Sequence, residues 1–89
     1  MTARIALANA LADLIGQDAV AVTGGTVEAV LRDLTARHRP LARLVWRDGR
    51  FNEQLVLFLN REDVRRLDGM DTPVRDGDEL MLITAVEGG

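Results

Sequence analysis

Residues 26–39 read TVEAVLRDLTARHR, and this stretch decides the architecture because it is the clearest single element in the chain. Val27, Val30, Leu31 and Leu34 recur at i, i+3, i+4 and i+7, which lines one face of an amphipathic helix. Thr26 follows the Gly24-Gly25 break as an N-cap, and Glu28 lies in the first turn, where the helix dipole favours an anion. Glu28–Arg32 and Asp33–Arg37 are i,i+4 pairs in the favourable order. Arg37, His38 and Arg39 bring cations to the C-terminal end, and Pro40 stops the helix. That position accounts for His38, which is assigned no function.

On the N-terminal side, DAVAVT (18–23) alternates like a strand. Residues 3–15 read two ways. Leu7, Leu11, Leu14 and Ile15 have helical spacing among helix-forming alanines, yet ARIAL (3–7) is equally a first strand pairing with 18–23 through a loop containing Gly16. On the C-terminal side, a short apolar piece LARLVW (41–46) precedes Asp48-Gly49, a hairpin signal. QLVLFLN (54–60) and ELMLITAV (79–86) are apolar runs of strand length, and Asp68-Gly69 and Asp76-Gly77 mark turns between them. The order is strand, strand, helix, strand, strand.

One helix covers one face of a small sheet, so the other face should read polar. It does not. Leu55, Leu57 and Leu59 alternate with Val56 and Phe58, and Leu80 and Leu82 alternate with Met81 and Ile83. If one set meets the helix, the other forms an exposed apolar patch of the kind that marks a partner surface. The alternatives are that 40–53 folds over that face or that the protein self-associates.

Composition narrows the chemistry. The 89 residues make one domain with a modest core. The chain has no Cys, Ser, Tyr or Lys and a single His, and its eleven cations are all Arg. The common nucleophiles are therefore absent apart from Thr, as are Schiff-base and P-loop lysines. No His/Cys set for a metal exists, so no metal site is expected. The fourteen carboxylates are scattered over turns and helix faces, as solvated surface charge. A net charge of −3 speaks against nucleic acid as the main partner. No run approaches the roughly 20 apolar residues of a membrane span. Asn9 and Asp13 interrupt the apolar run after Arg4, so the start reads as mature protein and not as a signal peptide. Absence of cysteine suits a cytoplasmic location. An enzyme in its own right is the least favoured class.

The order of elements together with TVEAVLRDLTARH, LFLNREDVRRL, DTPVRDGDELMLITAV and the final Gly88-Gly89 resembles the MoaD/ThiS family of small sulfur-carrier proteins. The resemblance runs from Thr26 onward and is nearest to CysO-type carriers, with MoaD-type subunits of molybdopterin synthase second. It implies an α+β, ubiquitin-like β-grasp fold: a mixed sheet of four to five strands with one main helix packed on one face. It makes 3–8 the central first strand and 9–16 a partly helical connection. Residues 1–86 are then the domain and 87–89 a C-terminal tail.

Function follows from the same resemblance. An E1-like adenylating enzyme with ATP would activate the Gly89 carboxylate, and a sulfur donor would convert it to a thiocarboxylate for a sulfur-accepting biosynthetic enzyme. No cofactor is bound permanently. Gly88 and Glu87 would thread the partner's channel, which a Cβ-free residue suits. Val56, Phe58, Met81, Ile83 and Val86 are the expected docking residues, with Leu80 and Leu82 toward the helix; a slip of one residue would invert that parity. Glu87 departs from the small residue that many members carry, and Thr84-Ala85 stands where Pro is often found. A ubiquitin-like modifier joined to lysines through Gly89, and a plain binding subunit, are the other readings.

Overall fold

Residues 2–85 of the computed structural model are described here. Strand β1 (Thr2–Leu7) is followed by helix α1 (Ala10–Ile15), β2 (Ala19–Thr23), α2 (Val27–Arg37) and α3 (Arg39–Val45). A small hairpin, β3 (Trp46–Arg47) and β4 (Arg50–Phe51), leads to β5 (Leu55–Leu59) and β6 (Glu62–Asp63). Two 3-10 turns at 64–66 and 69–71 precede β7 (Glu79–Thr84). The main sheet has the order β2-β1-β7-β5-β6. β1 and β7 are parallel neighbours and the other pairs are antiparallel. This is the expected mixed α+β β-grasp sheet. Among the described residues no helix is long and apolar enough to cross a membrane.

The long helix forms as its spacing predicts. Val27, Val30, Leu31 and Leu34 are buried, and the Ala29 amide donates to the Thr26 hydroxyl oxygen at 3.1 Å. Both readings of the N-terminal segment are realised in part. Ala3, Ile5 and Leu7 face the core from β1, while Leu11 and Ala12 do so from α1. Leu7 thus belongs to the strand, and the helical spacing that included it crosses an element boundary. Gly16 ends α1 at φ 69° and donates to the Ala12 carbonyl at 2.8 Å, the left-handed cap that glycine favours. Asp48 and Gly49, at φ 54° and 78°, form the two-residue turn of the β3–β4 hairpin, as the Asp-Gly pair predicts.

The piece after Pro40 differs from the expectation of a single helix. Pro40 does end α2, but it also sits in the first turn of α3, where its missing N–H is no loss. Leu41 and Val45, one turn apart, are both fully buried. α3 packs against α2 and α1, so it thickens the helical layer and does not fold over the opposite sheet face. Seven residues carrying two arginines are too short and polar for periodicity to reveal a helix.

Two polar contacts lock this layer. The buried Thr35 hydroxyl donates to the Leu31 carbonyl at 2.9 Å and accepts from Trp46 Nε1 at 3.1 Å, while Arg32 stacks on the indole with its Cζ 3.7 Å from the ring centroid. Buried Asn52 donates from Nδ2 to the Leu44 carbonyl at 2.8 Å and accepts from the Gln54 amide at 2.9 Å, which pins the hairpin under the end of α3.

Gly24 is the tightest backbone approach. A Cβ there would lie 2.8 Å from the Val30 nitrogen and 2.9 Å from the Ala29 carbonyl carbon and Cβ, contacts that only a backbone shift relieves. Gly24→Ala is expected to lower stability by about 1–3 kcal/mol, whereas Gly25→Ala, which meets nothing within 4 Å, stays within about 0.5 kcal/mol; urea unfolding of both variants checks the contrast.

Candidate docking face and tail exit

Strand alternation divides the sheet into two chemically similar but differently used faces. Leu55, Leu57, Leu59, Leu80 and Leu82 are buried beneath the helices. Val56, Phe58, Met81 and Ile83 point to the other side, where Met81 is 47% exposed and the other three are half-buried. Antiparallel pairing of β5 with β7 brings Phe58 opposite Met81 and Val56 opposite Ile83, so the four side chains form one contiguous patch.

Alternation within one strand does not reveal Ala6. The parallel register between β1 and β7 sets it opposite Met81, and its small side chain helps floor an open groove shared with Phe58 and Met81. The signal would have been the cross-strand register, which needs the topology before it can be read. Asn60, Arg61 and Glu79 close one end of this groove.

That polar end is rigid. Asn60 and Arg61 form the two-residue turn between β5 and β6, both with positive φ, 50° and 74°. Such a turn matches the sheet twist and suits Asn, but costs an Arg about 1–2 kcal/mol. Asn60 offsets that cost with three bonds. Its amide donates to the Glu79 carbonyl at 2.7 Å, its Nδ2 donates to Asp78 at 3.0 Å, and its Oδ1 accepts from the Glu79 amide at 3.0 Å. Asp78 also accepts from the Arg75 amide at 2.7 Å. The Arg75 backbone N–H, and next the Asn60 side-chain amide, hold the Asp78 carboxyl below its ordinary value. At the far side of the turn, the Arg65 guanidinium holds Asp63 below its own through a 2.6 Å ion pair.

At the opposite end of the sheet, the chain leaves β7. Thr84 pairs with Leu55, and the Ala85 amide donates to the Gln54 carbonyl at 2.8 Å. The Ala8 amide donates to the Leu82 carbonyl at 3.2 Å. The last described residue is therefore bonded beside the start of β5, while Ala8 at the end of β1 bonds Leu82 three residues before it. Val86, Glu87, Gly88 and Gly89, which the sequence singles out, lie outside the described residues. Among the described residues no cluster of three or more potential metal ligands occurs.

A β-grasp sheet covered on one side, with an apolar opposite face and its last strand in the centre, defines the ubiquitin-like class of carrier and modifier folds. The ThiS family pattern matches residues 5–89, and the chain belongs to that family. It is 32% identical over 77 residues to the sulfur carrier protein CysO of Mycobacterium tuberculosis, covering 83% of each chain. It is 33% identical over 72 residues to a putative sulfur carrier protein of Archaeoglobus fulgidus, covering 81% of this chain and 80% of the other. Among solved structures it superposes on the Amycolatopsis orientalis BexX/CysO complex with a TM-score of 0.87 at 27% identity, covering 98% of this chain and 99% of that one. These relatives are small carrier proteins and not enzymes, in agreement with a chain that lacks the usual nucleophiles.

The two faces predict opposite responses to substitution. Met81→Asp is expected to change stability by no more than about 0.5 kcal/mol, while Leu82→Ala next to it costs about 2–5 kcal/mol, as read by chemical denaturation. Asp78 gives a pH signature. Its folded-state pKa is lowered, so its contribution is present above the unfolded value of about 3.9 and is lost as pH falls through the folded value. Asp78→Asn should lessen the stability difference between pH 7 and pH 3; an unchanged difference would remove the carboxylate from this role.

Proposed function

We propose that this protein is a sulfur carrier whose C-terminal Gly89 is the working group. Residues 1–86 act as the carrier domain and 87–89 as the reactive tail. An E1-like partner catalyses attack of the Gly89 carboxylate on the α-phosphate of ATP, releasing pyrophosphate and leaving an acyl-adenylate. A hydrosulfide then adds to the acyl carbon and AMP departs, which leaves a thiocarboxylate. The thiocarboxylate sulfur is a soft nucleophile that attacks an activated carbon on a sulfur-accepting biosynthetic enzyme, in cysteine synthesis or the making of another sulfur-containing metabolite. ATP serves the partner, and the reaction belongs to the cytoplasm.

The observation that carries this reading is the central placement of β7, which ends at Thr84 beside the exposed apolar face. Docking of a partner on Val56, Phe58, Met81 and Ile83, with Val86 at the patch edge, would direct the chain that follows into the partner's active site. Glu87 and Gly88 would then occupy the channel. Glycine permits close approach of backbone to channel walls and phosphates because it has no Cβ. Once covered by a partner, a patch of four such side chains would also supply the hydrophobic centre that a specific interface needs.

A second reading draws on one relative. The chain is 38% identical over 64 residues to small archaeal modifier protein 3 of Haloferax volcanii, covering 72% of this chain and 70% of the other. Attachment to lysines of other proteins uses the same activated Gly89. Since this chain has no Lys, such a modifier would not extend itself through lysine.

Incubation with a cognate adenylating enzyme, ATP and a sulfide source tests the proposal by intact mass. One oxygen-to-sulfur exchange is expected in the wild type and none after deletion of Gly89. Met81→Asp should reduce conversion at least tenfold, and Gly88→Val should block conversion while still competing with wild type for the enzyme. No exchange in the wild type, with a control carrier converted in parallel, overturns the sulfur-carrier reading. Adducts of higher mass in a lysate, lost with Gly89, would instead favour the modifier.

A further inference from the structure

The turn at Asn60-Arg61 closes one end of the apolar groove, and its two residues are used differently. Asn60 spends its side chain inside the fold, on Asp78 and on the Glu79 amide. Arg61, at φ 74°, holds a left-handed conformation that is costly for a residue with a Cβ and that glycine adopts freely. It is exposed and lines the groove together with Ala6, Phe58 and Met81. Strained conformations persist where the side chain has a use.

No neighbour supplies that use. Among the described residues the ion pairs are Glu28–Arg32, Asp33–Arg37 and Asp63–Arg65, and Arg61 belongs to none of them. Asp63 is taken up by the Arg65 side chain through bonds of 2.6 to 3.1 Å. Asp78 is taken up by Asn60 and the Arg75 amide. Glu62 pairs in register with buried Leu59, which turns it toward the helical side of the sheet. Glu79 is the one carboxylate that lines the groove, and the β1–β7 register already sets it opposite Arg4. The end of an apolar groove thus carries an uncommitted guanidinium.

We propose that Arg61 anchors the adenylating partner: its guanidinium receives a carboxylate that the partner presents beside the apolar surface covering Phe58 and Met81. This rests on the docking face of the proposed function and adds the partner's chemistry, an acidic side chain at the border of an apolar patch. Both the carrier and the modifier readings require that partner. The contact also fixes orientation. Four apolar side chains alone let a partner sit either way along the strands, whereas a charge at one end selects one way. Arg61 stands roughly 17 Å along β5 from the Leu55–Thr84 pair, so pairing there leaves the partner's catalytic side at the end where β7 stops.

Binding of the full chain to the cognate adenylating enzyme is read by calorimetry without ATP, so docking is scored apart from sulfur loading. Arg61→Gly relieves the strained turn, so its urea midpoint should equal or exceed that of wild type. Its Kd should nevertheless rise roughly three- to tenfold. Between about 0.05 and 0.5 M salt, wild-type affinity should fall more steeply than that of Arg61→Gly. Arg61→Lys should restore part of the affinity and of the salt slope, and Arg61→Glu should bind more weakly than Arg61→Gly. Equal affinities and equal salt slopes for wild type and Arg61→Gly overturn the anchor. A loss that Arg61→Lys does not relieve, or that comes with a lower urea midpoint in Arg61→Gly, overturns it as well. Wild type that binds with these differences but shows no oxygen-to-sulfur exchange overturns the sulfur-carrier reading alone; wild type that does not bind overturns both.

Discussion

Parallel pairing of β1 with β7, Arg4 to Leu7 against Glu79 to Leu82, is the contact on which the rest depends. It sets the first and last described strands side by side at the centre of the sheet. Parallel neighbours cannot be joined by a tight turn, so everything between residues 7 and 79 is in effect their crossover connection. That connection supplies the helices on one side and the outer strands at the edges. Ile5, fully buried, sits within this pairing opposite Leu80, and Leu82, also fully buried, closes it opposite Leu7.

Because all three helices lie on one side, the sheet keeps one open face. The polar ends of that face differ. At one end, Asn60, Asp78 and Glu79 make a closed hydrogen-bonded turn with little freedom. At the other end, the Ala85 amide donates to the Gln54 carbonyl. The hydrogen-bonded turn at one rim and Ala85 at the other are thus separated by the length of one strand, with the apolar patch between them. Under the proposed function, such an arrangement would let a partner grip the sheet face while it handles the end of the chain.

Much of this was legible in the sequence, and the reasons are physical. Residues 26–37 carry a full helical stripe with a cap, and 55–59 and 80–83 are apolar at both parities, which pointed to a one-sided sheet with an exposed apolar set; which set that is came from strand alternation together with the family resemblance. The short elements were not legible. α3 has two buried positions in seven residues, too few for a period to emerge, and Pro40 looks like a stop because it is one for the preceding helix. Leu7 was caught in a helical spacing that spans the β1–α1 boundary. Ala6 acquires its place in the groove only from cross-strand register, which a linear reading does not contain. The resemblance to the family supplied what periodicity left open, namely that residues 3–8 are a central strand.

The lone tryptophan has an optical consequence. Trp46 is anchored to Thr35, stacked beneath Arg32 and paired with Phe51, on the helical side of the sheet. Its emission therefore reports the docking of α2 on the hairpin, and a protein bound to the opposite face leaves that environment untouched. Arg47, the next residue along, pairs with Arg50 in the same hairpin, so the same indole is an intrinsic lamp at the border between the hairpin and the helical layer.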